Sequence, residues 1–219
     1  MVKAKLIALT QPTIETKIPD AESLVAYCAR VSNPSNQDSH DTSDRLLRYC
    51  IRNRHWSVFE MANAIIEVEA PRDITRQFLR HRSFHFQEFS QRYSSEIGFC
   101  DRAVRAQDSG NRQNSLDILS DEDKMLWKNR MDHLKSVTET YYQMAITQGI
   151  AKECARVMLP EGLTMSRVYA NGTMRSWLHY LEVRLGNGTQ VEHTKLAEAI
   201  RDALRPAFPQ IMELTDALN

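Results

Sequence analysis

A chain of 219 residues that is 42% hydrophobic can bury a sizeable core, and we expect one domain spanning residues 1–219. Its 28 basic and 28 acidic residues balance, which argues against a protein held to nucleic acid or an anionic membrane by overall charge. The four cysteines are isolated and no apolar run approaches a membrane span, so we expect a soluble, cytoplasmic protein with reduced thiols.

The first seventy residues predict two strands and two helices. The short apolar runs "AKLIALT" near the start and "ANAIIEVEA" at residues 62–70 are typical of strands. Residues 20–30 and 43–53 repeat apolar residues with helical periodicity. The polar stretch "SNPSNQDSHDTS" between the two helices contains a proline and predicts a loop.

The segment "RQFLRHRSFHFQEFSQRYS", residues 76–94, predicts a binding surface. Pro71 suits the first turn of a helix, after which Arg72, Arg76 and Arg80 recur every four residues along one side. Arginine binds phosphate with a planar fork of donors, and the chain has 20 arginines against 8 lysines. The three arginines on this side of the helix, called here the basic rail, therefore predict a binding surface for a phosphorylated ligand. Five aromatic rings in the segment are available for stacking: Phe78, Phe84, Phe86, Phe89 and Tyr93.

Helices dominate the second half of the chain. A polar loop at residues 106–115 precedes the longest helix, for which Ser120 and Asp123 form a capping box and Gly149 marks the end. We expect its buried stripe to contain Leu134, Val137, Tyr141, Met144 and Ala145.

The remaining elements follow in quick succession. "AKECARVMLP" predicts a short helix and "GLTMSRVYA" a strand, after which Thr173 caps a helix that leaves Arg175, His179 and Glu182 outside its buried stripe. That stripe contains Met174, Trp177, Leu178, Leu181 and Leu185. A last amphipathic helix with Leu196, Ile200 and Leu204 stops at Pro206. Helices outnumber strands and do not alternate with them, so the predicted fold class is α+β.

Several common motifs are absent. Neither G-x-G-x-x-G nor G-x-x-x-x-G-K-[ST] occurs, so side chains and helix ends would have to hold a nucleotide's phosphates. His81 and His85 are four residues apart, but no third ligand is obvious and we predict no metal site. Ser90 lacks a G-x-S-x-G elbow, which favours a structural or ligand-binding serine. Arg102 and Arg105 are expected on solvated helix faces.

Arg80-His81-Arg82, seven residues and then Ser90 resemble the R-H-R-x7-S signature of flavin-dependent thymidylate synthases, the ThyX family. Further similar stretches follow the family's order: "ARVSN", "HWSVFE", "RQFLRHR", "ARVMLP" and "RSWLHYLEVR". The resemblance covers nearly the whole chain and implies an antiparallel sheet packed with helices, in a homotetramer with active sites at subunit interfaces. It also implies that dTMP is made from dUMP, with tightly bound FAD, methylenetetrahydrofolate as carbon donor and NADPH as reductant.

The resemblance also assigns residues to ligands. Positions that match dUMP contacts are Gln77, Arg80, Glu88, Ser90, Arg92, Tyr93, Arg156 and Arg184. Positions that match FAD contacts are Ser32, Asn63, Arg80, His81, Arg82, Ser83, Gln87, Glu88, Thr173, Arg175 and His179. Arg184 matches the arginine that polarises the uracil and favours its N3-ionised form, and with Ser90 and Glu88 it is predicted to be catalytic.

The chain departs from the family pattern at several positions. Met61 stands where many members carry His, Thr173 and Gln87 where Asn is common, Gly188 where His is frequent, and His85 where Ser is usual. These departures concern flavin and folate contacts and leave the dUMP positions intact.

The residues alone leave two alternatives. The arginine rail with Phe84, Phe86 and Phe89 would suit a module that binds single-stranded nucleic acid, although the neutral overall charge and Glu88 argue against it. His81 and His85 with nearby carboxylates would suit a metal-dependent nucleotide hydrolase.

No cysteine is predicted to act as a nucleophile. Cys28, Cys50 and Cys154 are expected on apolar helix faces, where burial raises a thiol's pKa. Cys100 is expected in a loop beside Asp101, whose charge also disfavours a thiolate.

Overall fold

The computed structural model describes residues 2–216. The strands are β1 (Lys3–Leu9), β2 (Asn63–Pro71), β3 (His85–Glu88), β4 (Ala106–Gln107), β5 (Ser115–Leu116) and β6 (Met165–Thr173). The α-helices are α1 (Ala21–Ala29), α2 (Ser43–Arg52), α3 (Arg72–Phe78), α4 (Asp121–Thr147), α5 (Lys152–Ala155), α6 (Met174–Leu185), α7 (Val191–Leu204) and α8 (Pro209–Asp216). A 3₁₀ helix, Trp56–Met61, leads into β2.

Four strands form one antiparallel sheet in the order β1-β2-β6-β3. Buried and more exposed residues alternate along β2, as the sequence pattern of residues 62–70 predicts. Across the sheet β6 stays in register with β2, from Asn63 opposite Thr173 to Pro71 opposite Met165. The α+β class with an antiparallel sheet is confirmed.

Helix α6 connects the sheet to the core. Thr173 caps it by accepting a bond from the Ser176 amide, as predicted, at 3.3 Å. Trp177 is fully buried, and its indole N–H donates to the Ala64 carbonyl of β2 at 3.3 Å. The whole predicted stripe is buried: Met174, Trp177, Leu178, Leu181 and Leu185. The opposite side of α6 carries Arg175, His179 and Glu182, which are exposed.

Three of the five predicted stacking rings belong to the core instead. Phe78 and Phe84 are buried, and the Phe84 ring centroid lies 4.4 Å from that of Trp177. A Cβ on Gly172 would lie 2.4 Å from the Phe84 ring, so β6 needs glycine there. Phe86 is half-buried against the same core. Stacking by these three rings on a ligand was therefore a wrong prediction, whereas Tyr93 is exposed. The nucleic-acid alternative also loses two of its three rings, Phe84 and Phe86, to the core.

The basic rail is not continuous. Pro71 ends β2 instead of starting the helix, and α3 stops at Phe78, which leaves Arg80 in the turn that follows. Arg72 lies 3.6 Å from the Glu88 carboxylate, and Arg76 pairs with Glu161.

His81 and His85, which the hydrolase alternative would place together on a helix, lie on different elements. His85 lies on β3 opposite Asn171, and His81 precedes that strand. The helical spacing behind the hydrolase alternative is therefore wrong, and no cluster of three potential metal ligands occurs within residues 2–216.

Helix α4 begins and ends as predicted, but its apolar stripe is not core. Ser120 accepts from the Asp123 amide at 3.1 Å, and Gly149 follows the helix with φ of 78°. Leu134, Val137, Tyr141 and Met144 are 36% to 56% exposed. Ala145 alone of the predicted stripe is buried, in a small cluster beside the main core. One side of α4 therefore presents apolar groups to solvent.

Helix α8 was missed, because the predicted elements stop at Pro206. Proline suits the first helical position, and Pro209 occupies it. Glu22 of α1 accepts from the Ile211 amide at 2.7 Å, which anchors the start of α8. Within residues 2–216 no helix is both long and apolar enough to cross a bilayer.

Candidate functional site

Five of the eleven predicted FAD residues lie together at the N-terminal end of α6. A pocket of about 390 Å³, called here the α6 pocket, is lined by Trp56, Glu60, Ser83, Thr173, Arg175, Ser176, His179 and Glu182. Four of these were predicted, and Asn63 lies beside them opposite Thr173 in the sheet. Arg175 pairs with Glu60 across the pocket. The first turn of α6 carries the positive end of the helix dipole, which favours an anionic group.

Other predicted FAD residues lie outside the α6 pocket. Arg80 and Arg82 are exposed in the turn between α3 and β3, and within residues 2–216 neither forms an ion pair. Gln87 is exposed on β3. Ser32 lies in the exposed loop after α1 and makes no hydrogen bond to the other predicted residues in the described part of the chain.

Arg184, near the C-terminal end of α6, belongs to a second, more buried group. Its Nε donates to Nε2 of His81 at 2.9 Å. Because that His81 nitrogen accepts, its ring proton must sit on Nδ1. Burial, and next the charge of Arg184, lower the pKa of His81 to about 4, which keeps the imidazole neutral near pH 7. Within residues 2–216 Arg184 has no carboxylate partner, so its guanidinium is oriented without being neutralised.

Gln77 lies beside this pair and has its own histidine. Its side-chain oxygen lies 3.2 Å from Nδ1 of His193, and its side-chain nitrogen donates to Gln190 at 2.7 Å. His193 is fully buried, and burial followed by the charge of Arg184 lowers its pKa to about 3. The rings of His81 and His193 are 6.5 Å apart. We call Gln77, His81, Arg184 and His193 the Arg184 cluster.

Sequence reasoning missed His193 and Gln190. His193 precedes Leu196, Ile200 and Leu204 by three, seven and eleven residues, so it occupies the apolar face of α7. A histidine at a core position was the available signal. Gln190 carried no such signal, because it immediately precedes α7.

The other predicted dUMP residues lie at the end of β3. Glu88 accepts from the Ser166 hydroxyl at 2.8 Å and is half-buried. Ser90 accepts a bond from the Arg92 amide at 3.3 Å, so it is held by its own turn.

Two contacts join this turn to α5. Arg92 bonds to Glu153 at 3.1 Å, and the Lys152 ammonium donates to the Tyr93 carbonyl at 2.8 Å. Arg156 follows α5 directly and makes no side-chain hydrogen bond within residues 2–216. We call residues 88–93 with Arg156 the β3 end.

The α6 pocket and the β3 end lie at opposite ends of the sheet. Thr173 lines the pocket, whereas Ser166, seven residues earlier on β6, bonds to Glu88. Seven strand residues span roughly 23 Å. Within one chain, the predicted FAD pocket is therefore far from this part of the predicted dUMP site.

Arg102 and Arg105 are not solvated on helix faces, contrary to the prediction. They lie in the non-helical segment before β4 with side chains 14% and 17% exposed. Arg102 forms a bidentate pair with Asp73, at 2.8 and 3.0 Å, and Arg105 bonds to Glu192 at 2.7 Å. Both arginines therefore form half-buried ion pairs within the fold.

The cysteine environments differ in part from the prediction. Cys50 and Cys100 are buried, Cys28 is half-buried, and burial raises the pKa of all three thiols. Cys154 is exposed, so placing it on an apolar face was wrong. The reason is the brevity of α5, which buries Ala155 alone.

The chain is similar to proteins of one kind. Residues 13–210 match the family model described as "Thymidylate synthase complementing protein". A probable flavin-dependent thymidylate synthase of Paramecium bursaria Chlorella virus 1 is 47% identical over 216 residues, which cover 98% of this chain and 99% of that protein. A flavin-dependent thymidylate synthase of Synechocystis sp. is 42% identical over 209 residues, covering 94% of this chain and 96% of that protein.

The fold has a solved counterpart. The crystal structure of a UMP/dUMP methylase, PolB from Streptomyces cacaoi, bound with 5-Br dUMP superposes with a TM-score of 0.81 at 27% identity. The match covers 99% of this chain and 95% of that one.

Proposed function

The chain belongs to the family of flavin-dependent thymidylate synthases, and we propose from this premise how its residues make dTMP from dUMP. The expected enzyme class, reaction and flavin dependence are confirmed by the family match and the two relatives. The roles of individual residues, the co-substrates and the assembly are our proposals.

Arg184 is proposed to activate the substrate. Uracil C5 is a poor nucleophile until electron density enters the ring, and a guanidinium beside the ring stabilises the N3-ionised form. The bond from Arg184 to the neutral His81 carries this proposal, since it orients the guanidinium while leaving its positive charge for the substrate. A carboxylate partner would have offset that charge.

The β3 end is proposed to hold the rest of dUMP. Arg156 has no side-chain partner within residues 2–216 and Arg92 is bonded to an exposed glutamate, so both can turn to a phosphate. Ser90, Glu88 and Tyr93 are proposed to contact the nucleotide from the same turn, with Arg80 and Gln77 at its other side. Ser90 and Glu88 are proposed to act with Arg184 in catalysis.

The α6 pocket fits one part of FAD. A volume of about 390 Å³ is at the low end of the roughly 300 to 1,000 Å³ of pockets that enclose drug-sized ligands, and FAD is larger than those. Arg175 and the first turn of α6 suit its diphosphate, with Thr173, Ser83, His179 and Asn63 around it. His81, Arg82, Gln87, Glu88 and Ser32 are proposed as further contacts. When bound, the flavin supplies the reducing hydride.

A homotetramer with active sites between subunits is proposed for two reasons. The α6 pocket and the β3 end of one chain are separated by roughly 23 Å of strand, so a second chain could bring FAD to dUMP. The exposed apolar side of α4, with Leu134, Val137, Tyr141 and Met144, also suits burial against another subunit. Methylenetetrahydrofolate as carbon donor and NADPH as reductant complete the proposal.

The products of the reaction test this proposal. The protein with FAD, dUMP, methylenetetrahydrofolate and NADPH should form dTMP and tetrahydrofolate in equal amounts, and omission of FAD from stripped protein should abolish both. Dihydrofolate as the stoichiometric product would contradict it, because the reducing hydride would then come from the folate.

A further inference from the structure

A chain of side-chain hydrogen bonds connects a remote ion pair to Gln77 of the Arg184 cluster. Arg105 donates to Oε1 of Glu192 at 2.7 Å. The other oxygen of Glu192 accepts from the side-chain nitrogen of Gln190 at 3.0 Å. Gln190 in turn accepts from Gln77 at 2.7 Å, and Gln77 faces Nδ1 of His193 at 3.2 Å.

The carboxylate of Glu192 sets the direction of every bond in this chain. Burial alone would raise the pKa of Glu192, but the bonds from Arg105, from its own backbone amide and from Gln190 together hold the pKa below the usual value. The ionised carboxylate can only accept, so Gln190 must turn its NH₂ group toward it. The oxygen of Gln190 then faces Gln77.

The same argument continues to the buried histidine. Gln77 must donate through its NH₂ group to the Gln190 oxygen, which leaves its own oxygen toward His193. His193 must therefore carry its proton on Nδ1. An amide side chain alone can rotate by half a turn and exchange donor for acceptor, whereas this chain permits one orientation of Gln77.

We propose that Glu192 is a positioning residue for dUMP, which acts through Gln190 to fix the orientation of the Gln77 amide. The proposal rests on the proposed contact of Gln77 with dUMP. In the fixed orientation Gln77 keeps one N–H and one oxygen lone pair beyond those used in the chain, each on a defined side. A dUMP group that needs one of them finds it already in place, so no binding energy is lost in turning the amide.

Two substitutions interrupt the chain at different points. Glu192→Gln replaces the acceptor-only carboxylate with an amide that can face either way. Gln190→Leu keeps the Arg105–Glu192 pair and removes the connection to Gln77. We expect each to raise the Kd of dUMP about tenfold, as for loss of one well-formed hydrogen bond, with flavin content unchanged.

A matched control separates positioning from general loss of stability. Asp73→Asn removes the half-buried pair with Arg102, which resembles the Arg105–Glu192 pair in exposure and lies on α3, the helix of Gln77. It should lower the melting temperature about as much as Glu192→Gln and change the Kd of dUMP less than twofold.

The double variant Gln190→Glu with Glu192→Gln provides a rescue. It places an acceptor-only carboxylate next to Gln77, so the amide keeps its direction and most of the affinity should return. Unchanged dUMP binding in both single variants, or an equal loss in Asp73→Asn, would overturn the proposal. Failure of the parent protein to bind dUMP would instead count against the proposed function.

Discussion

The α6 pocket and the Arg184 cluster share helix α6 but are built in opposite ways. The charged side chains that line the pocket are exposed, and its one arginine, Arg175, is compensated within the chain by Glu60. In the cluster, the Arg184 cation meets a neutral acceptor, and burial lowers the pKa of His81 to about 4 and of His193 to about 3.

The difference indicates two ways of handling an anion. A surface ion pair contributes little to stability, so Arg175 can exchange Glu60 for a phosphate at small cost. An oriented and uncompensated cation stabilises negative charge that develops on the substrate during the reaction, because its orientation is set before the substrate binds. The pocket therefore suits binding and the cluster suits catalysis.

Arg184→Lys is the substitution that should separate the two regions most. Lysine keeps the charge but loses the planar fork and the Nε donor that meets His81. We expect turnover to fall by about 10² to 10³, as for loss of one oriented donor to a developing anion. Flavin content, read from visible absorbance, should stay at the parent level.

Arg167→Lys serves as the control, since Arg167 lies on β6 and pairs with Glu69. It should leave turnover unchanged. A parallel loss of flavin in Arg184→Lys would show that the two regions do not act separately.

The buried histidines also predict acid sensitivity. The pKa of His193 falls from 6.5 to about 3 on folding, with burial as the largest cause, so between these values the unfolded chain binds more protons than the folded one. Stability should therefore be complete above about pH 6.5 and decrease as pH falls. From these two pKa values we expect His193 to account for about 3 kcal/mol of stability between pH 7 and 4.

Urea unfolding at several pH values measures this effect. His193→Asn keeps a donor toward Gln77 and has no ionisable ring, so its stability should depend less on pH over the same range. Parallel pH profiles for the parent and the variant would contradict the prediction.

Arg175→Ala is the counterpart on the pocket side. Loss of one charge-assisted contact of about 1.5 to 3 kcal/mol should weaken FAD binding tenfold or more. The Kd of dUMP in the flavin-saturated protein should remain near the parent value. Titration of flavin-stripped protein with FAD measures the first effect. If the dUMP affinity fell as much as the FAD affinity, the α6 pocket and the Arg184 cluster would not be separate binding regions.

Arg92 and Arg156 extend the comparison to the β3 end. Substituting either with Ala should weaken dUMP binding by roughly tenfold, from one lost charge-assisted contact. Flavin content should change less. Equilibrium binding of dUMP tests this division, which would be wrong if Arg156→Ala lost FAD and kept its dUMP affinity.

Local patterns predicted much of the fold. Thr173 and Ser120 as caps, Gly149 after α4 and the buried stripe of α6 each depend on residues a few positions apart. The aromatic rings could not be assigned in this way. In the sequence, Phe78 and Phe84 stand among four arginines and therefore suggest a binding surface. In the structure, the packing of α6 against the sheet buries both rings.

The same limit applies to the site. The R-H-R-x7-S motif singled out His81 and the stretch "RSWLHYLEVR" singled out Arg184, but no local pattern predicts their contact, which joins residues 103 positions apart. The partners of Gln77 lie 113 and 116 residues away, and no local signal connects them. Arg102 and Arg105 were predicted to be solvated because their partners, Asp73 and Glu192, lie 29 and 87 residues away in the sequence.

The smallest expected effect concerns the cysteines, none of which should act as a nucleophile toward uracil. Cys50 and Cys100 are buried, and burial raises the pKa of both thiols and of Cys28, which disfavours the reactive thiolate. Cys154 is the decisive case, because it is exposed and adjoins Glu153, the partner of Arg92 at the β3 end.

Removing a covalent nucleophile lowers kcat by about 10⁶, whereas Cys→Ser at a packing position acts mainly through stability. Each Cys→Ser variant, assayed where it is folded and flavin-loaded, should therefore keep turnover within about tenfold of the parent, or about 1.4 kcal/mol. A fall in turnover of about four orders of magnitude in Cys154→Ser would contradict this prediction and would place the nucleophile at the β3 end instead of giving the catalytic role to the Arg184 cluster. The comparison between the α6 pocket and the cluster would then no longer separate binding from catalysis.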